Sequence, residues 1–188
     1  MKHKIQRVFV LFGVLLLASA CAMMIFWQWN TRKQSQECVQ TLRALLPEPR
    51  SAALEERRDN RMPVLSLDGA DFIGIVEIPR YGSSLPVCAD WGNPIRNPHC
   101  LGGSLYDGTL QIGGASNAGQ FDFFRELSVG DQICFTDMEG NRYTLAVSDL
   151  RYAKHADQEA LQRCDASLTL FIKNIYAFEY LIVFCSPA

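Results

Sequence analysis

Histidine is scarce in this chain, and its cysteines are spaced for nothing in particular. The three histidines are His3, His99 and His155. None of the seven cysteines forms a Cys-x-x-Cys pair, and no His/Cys cluster has zinc-site spacing. No metal and no cofactor is therefore expected. A phosphate-cradling loop is also missing: Gly113-Gly114 runs on to Phe121-Asp-Phe-Phe124 without the Lys such a loop needs. Acid is absent from the first 33 residues, which hold Lys2, Lys4, Arg7, Arg32 and Lys33. The remainder carries 13 basic against 20 acidic residues, a poor surface for nucleic acid. With 48% hydrophobic and 20% charged residues, the chain is neither disordered nor collagen-like.

What is present begins with one long apolar run. Residues 8–29, VFVLFGVLLLASACAMMIFWQW, suffice to span roughly 30 Å of hydrocarbon as a helix. Trp27 and Trp29 stand at its outer end, where amphipathic rings favour the interface. Basic residues on both sides modestly favour a cytoplasmic N-terminus. The expected division is a cytoplasmic stretch 1–7, a membrane helix 8–29, a helical or irregular connector 30–62, and an extracytoplasmic domain 63–188. Two other readings stay open. Ala18-Ser19-Ala20 offers a signal-peptide cleavage site, and Cys21 sits in a near-lipoprotein box whose Leu17 is one place too far away.

In the connector, residues 38–46 suit a short helix ended by Pro47 and Pro49. Residues 51–61 suit a second, with Ser51 as N-cap. Such a stretch either lifts a domain off the bilayer or packs on it, and the sequence leaves both open. From Pro63 onward short strands are separated by Gly, Pro and Asp: 72–78, 85–88, 110–112, 132–136, 143–152, 168–173 and 180–184. Met138-Glu-Gly-Asn141 is a hairpin signal between two of them. Residues 91–98 read as loop, and 121–127 as a short amphipathic helix. About eight strands with a turn roughly every ten residues predict a closed or partly closed β-barrel.

The order of these pieces resembles the sortases, the membrane-anchored cysteine transpeptidases of Gram-positive bacteria. Asp71-Phe-Ile-Gly-Ile-Val-Glu-Ile-Pro79 looks like that family's opening strand, and Leu85-Pro-Val87 like its second. Cys100-Leu-Gly-Gly-Ser104 is similar to the segment before the histidine strand. Residues 109–114 resemble the strand that ends in Gly-His, and 121–131 the Phe-helix-Leu-Gly-Asp unit. Leu168-Thr-Leu170 looks like the strand leading into the catalytic Cys, and Leu181-Ile-Val-Phe184 like the strand carrying the catalytic Arg. The looping is most similar to class B-like members. The resemblance implies a mainly β, sortase-like eight-stranded barrel with short helices after one N-terminal transmembrane helix.

The family's chemistry needs a thiolate nucleophile, a histidine to move the proton and an arginine at the oxyanion or the substrate. The resemblance places these three at Gly114, Lys173 and Tyr180. A Gly cannot transfer a proton. A Lys ammonium is no nucleophile unless burial strips its proton. A Tyr carries no positive charge. Neighbours do not repair the pattern, since Ile172 and Asn174 flank Lys173, and Glu179 and Leu181 flank Tyr180. The implied protein is a sortase-like pseudoenzyme at the cell membrane, single-pass, with its groove free to bind a sorting-signal peptide, a pilin or an active sortase. The alternatives are a transpeptidase or peptidase using displaced residues, Cys164 with His155, and an envelope assembly module without groove function. Outside the apolar run, Cys88 and Cys100 flank one loop and are the expected disulfide pair if one forms.

Overall fold

The computed structural model describes residues 2–54, 60–90, 97–154, 166–175, 177 and 179–188, with side chains from residue 9 onward. One helix, α1 (Lys2–Leu45), contains both the apolar run and the region expected to be a separate short helix. No Gly or Pro lies between Gly13 and Pro47, so nothing in the backbone interrupts it. At 1.5 Å per residue it is about 66 Å long. Its first part exposes Phe9 to Trp29 almost all round, and is long and apolar enough to cross a membrane. Its last part is amphipathic. Thr31, Ser35, Val39 and Leu42 are buried, three to four residues apart, on one stripe facing the barrel. The connector therefore packs on the domain and does not lift it away.

Ten strands follow among the described residues: β1 (Arg50–Ser51), β2 (Leu65–Leu67), β3 (Ala70–Ile78), β4 (Ser83–Cys88), β5 (His99–Gly102), β6 (Leu110–Ala115), β7 (Gln132–Asp137), β8 (Asn141–Ala153), β9 (Leu168–Asn174) and β10 (Glu179–Pro187). The ring runs β3-β4-β5-β6-β9-β10-β8-β7, and β7 pairs back to β3, closing an eight-stranded barrel. β1 and β2 are short additions at its margins. The interior is filled from all sides, by Val76, Leu85, Ile112, Ile133, Leu145, Leu170 and Val183 among others. A second cluster joins Val39 and Leu42 of α1 to Phe72, Ile75 and Cys88 on the barrel's outside. Glu77 of β3 accepts from both Arg43 of α1 and Arg142 of β8, which ties helix and barrel together.

Several expectations are corrected here. Ser51 does not cap a second connector helix. It lies in β1, paired in parallel with Arg142, while Arg50 N donates to Gly140 O and Ala52 N to Arg142 O. Those edge hydrogen bonds override the local helix propensity; residues 55–59 of that expected helix lie outside the described ones. Only a single 3-10 turn, Phe124–Glu126, forms where a longer helix was expected. Phe121, Phe123, Phe124 and Leu127 are all buried. Phe123 stacks on Tyr81 with ring centroids 5.0 Å apart. Cys88 and Cys100 are free thiols. Cys88 is in register with His99 in the neighbouring strand, so Cys100, one residue on, projects to the opposite face. Cys88 packs under α1 and Cys100 against the barrel interior, a geometry that forbids a bond between them. Residues 91–96, expected as loop, are outside the described ones.

Between β7 and the turn before it, Asp131 accepts from Arg80 Nη1 at 2.6 Å, Ser128 N at 2.9 Å and Tyr81 Oη at 3.3 Å. Burial by itself raises its carboxyl, but the Arg80 and Ser128 hydrogen bonds outweigh this and hold it below the usual aspartate range. A depressed folded-state value stabilises the fold above the ordinary carboxylate range, and that stabilisation is lost as pH falls through the folded value. Thermal melts of the full chain between about pH 5 and pH 2 should show an acid limb that Asp131→Asn flattens. An unchanged limb in the variant would assign acid sensitivity to other groups.

Candidate functional site

The three positions matched to the catalytic triad lie on adjacent strands. Ala115 of β6 is the register partner of Lys173 in β9, and Lys173 is the partner of Tyr180 in β10. Gly114, Lys173 and Tyr180 therefore fall within about two strand spacings, roughly 10 Å. Their backbones converge but their side-chain directions do not. Gly114 is in register with Ile172, which is fully buried in the barrel interior. Lys173 and Tyr180, one residue further along, face the other side of the sheet. Ala115 is the β6 residue that shares their face.

The space a side chain at 114 would need is taken. A Cβ built there would stand 2.5 Å from Cε2 of Phe121 and 3.1 Å from Oε1 of Gln120. Phe121 is fully buried, and Gln120 is nearly so. Gln120 Oε1 accepts from Ala115 N at 2.7 Å, and Phe121 N donates to Ala115 O at 3.1 Å. The loop after β6 thus folds back and plugs the core side of the strand end. The paired glycines are legible in the sequence as a place of close approach; which side chain approaches is not.

Lys173 is exposed, so the burial that turns a lysine into a nucleophile is absent. Its carbonyl accepts from Ser116 N at 2.9 Å, which links the ends of β6 and β9. Tyr180 is half-buried beside Ala153 of β8. The displaced candidates Cys164 and His155 lie outside the described residues. His99, just past the stretch read as loop, is a buried member of β5, in register with both Cys88 and Gly113. A Cβ on Gly113 would stand 3.1 Å from its Nε2. Cys88 and His99 are thus a second Cys/His neighbourhood that strand assignment alone concealed. Its electrostatics oppose thiol chemistry. Burial raises the Cys88 thiol and lowers the His99 imidazole, so both rest neutral near pH 7. An activated pair needs the reverse, a thiolate beside a cation. Burial likewise pushes up the thiols of Cys100 and Cys185. Among the described residues, no group of three or more His, Cys, Asp or Glu side chains is placed to hold a metal ion.

No family model matches the chain, and no curated protein does. Solved structures do. Sortase A from Corynebacterium diphtheriae aligns with a TM-score of 0.55 at 21% identity, over 63% of this chain and 61% of that one. Sortase C1 from Streptococcus agalactiae aligns with a TM-score of 0.57 at 22% identity, over 65% of this chain and 70% of that one. Sortase C-1 from Actinomyces oris gives 0.52 and 22%, over 61% and 72%. The chain thus spans less than two thirds of the Corynebacterium enzyme's length. Identity at this level carries the fold and neither the class nor the activity. The closed eight-stranded barrel, its long apolar N-terminal helix and these alignments together make this a chain of sortase-like fold.

Proposed function

We propose that this is a membrane-anchored, extracytoplasmic sortase-like protein without transpeptidase activity, which binds a peptide or a partner protein at the cell surface. The observation that carries the reading is the strand end at Gly114. The residue that would move the proton is a glycine whose side-chain space is filled by Phe121. The other two matched positions offer an exposed ammonium and a phenol where the chemistry needs a thiolate and a guanidinium. The apolar part of α1 supports the anchor, and the docking of its polar part supports a domain held directly against the bilayer. A sorting-signal peptide, a pilin or an active sortase is the kind of partner this fold suggests.

The test is peptide cleavage and transfer by the full chain in detergent or nanodiscs. Sorting-signal peptides should be neither cleaved nor transferred. Losing a nucleophile–base unit costs on the order of 10⁶ in rate where it has been measured. Cys164→Ala and His155→Ala serve as controls. Turnover that either substitution abolishes would overturn the non-catalytic reading and establish the displaced-residue enzyme in its place.

A further inference from the structure

Where α1 meets the barrel, a pocket of 520 Å³ opens between the helix and the loop after β6. Its helix wall changes character with height. Met24 and Trp27 lie in the last turns of the apolar run and are more than half exposed. Arg32 lies five residues further on, about 7.5 Å higher at the rise of an α-helix. The opposite wall holds Phe124, Ile175, Asn117 and Arg125. The pocket thus runs from hydrocarbon depth to headgroup depth if α1 spans a bilayer, and the inference rests on that reading.

Its polar end is not self-satisfied. The Arg125 guanidinium lies over the Phe124 ring at 5.5 Å and has no carboxylate partner among the described residues. Arg32 is already held by Asp122 at 2.5 Å, so that pair is neutral and Arg125 sets the sign of the site. An occupant must therefore supply an anion for Arg125 and an apolar chain for Met24 and Trp27. A choline headgroup does poorly, since its trimethylammonium carries the sign of Arg125.

We propose that this pocket binds an anionic membrane lipid of the phosphatidylglycerol type, its phosphate at Arg125 and an acyl chain along Met24 and Trp27. The site is separate from the Lys173–Tyr180 face, and its occupant would hold the barrel at one height and one rotation on the bilayer.

The full chain carries three tryptophans. With Trp29→Phe and Trp91→Phe, Trp27 becomes a single reporter in the pocket wall. The protein is reconstituted in vesicles containing either brominated-chain phosphatidylglycerol or brominated-chain phosphatidylcholine at equal mole fraction. Quenching of Trp27 should report an affinity for the phosphatidylglycerol about fivefold higher, the scale set by one arginine at a membrane surface. Arg125→Gln should bring the ratio towards one without lowering the melting temperature. Lys33→Gln, a basic residue of α1 outside the pocket, should leave the ratio unchanged. Equal quenching by the two lipids overturns the pocket while leaving the span in place. A ratio that Lys33→Gln lowers as much as Arg125→Gln overturns it too, by assigning the preference to general surface charge. Quenching by neither lipid overturns the membrane span itself, and the lipid site with it.

Discussion

Gly114→His should cost at least about 3 kcal/mol of stability, or prevent folding, and should build no catalytic dyad. The added Cβ would lie 2.5 Å from the Phe121 ring, a distance real Cβ atoms do not adopt. Phe121 is fully buried among its core neighbours and has nowhere to swing. Overpacking of a tight core by smaller groups than an imidazole already costs about 1–3 kcal/mol. The compensating variant is Gly114→His with Phe121→Ala, which opens the slot and should recover part of the loss. Melting temperatures and urea midpoints of wild type, single and double variants decide it. A single variant as stable as wild type would show that the slot is open and that the loop after β6 does not plug the strand end. The same geometry predicts that Gly114→His, Lys173→Cys and Tyr180→Arg together give no transpeptidase. The new histidine would face the core while the new cysteine and arginine face the opposite side of the sheet.

Asp137→Ala should be the most damaging single substitution away from that site. Asp137 closes the β7–β8 hairpin and is fully buried. Its carboxylate accepts from Tyr106 Oη at 2.7 Å, and from Glu139 N, Asn141 N and Asn141 Nδ2 at 2.9 Å each. Alanine would leave two side-chain donors and two backbone N–H groups without an acceptor. A buried unmet donor costs roughly 1–3 kcal/mol, so the total is on the order of 4 kcal/mol or more. Asp137→Asn should be milder, because it keeps the shape and one acceptor while turning an amide towards existing donors. Urea unfolding followed by far-UV circular dichroism ranks the three proteins. A loss below about 1 kcal/mol for Asp137→Ala would mean that water replaces the carboxylate, and that the network is not closed to solvent.

Much of this chain declares itself locally. The apolar run of residues 8–29 is legible because twenty-odd consecutive apolar residues have few alternatives to a membrane-length helix. β3, β4, β7, β8, β9 and β10 are legible because a barrel wall with one dry face imposes its own composition and punctuation on each strand. The hairpin at 138–141 is legible from its Glu-Gly-Asn chemistry. β5 was not: four residues ending at Gly102 and followed by Gly103 resemble a loop, and only pairing with β4 and β6 makes His99 a buried strand residue. The joining of the apolar run to the helix expected at residues 38–46 was not legible either, because Asn30 and Thr31 are poor helix formers and the stripe Thr31, Ser35, Val39, Leu42 has meaning only against the barrel that buries it.

The candidate site divides along the same line. The sequence by itself determined which residue types are missing, since a Gly, a Lys and a Tyr at those positions cannot become a base, a thiolate and a guanidinium whatever surrounds them. The tertiary structure alone decided that the three positions come together on β6, β9 and β10, that the first faces away from the other two, and that Phe121 occupies its space. Register and side-chain packing are properties of residues distant in the chain. A one-residue step along a strand reverses the face without changing any local pattern a reader of the sequence could use.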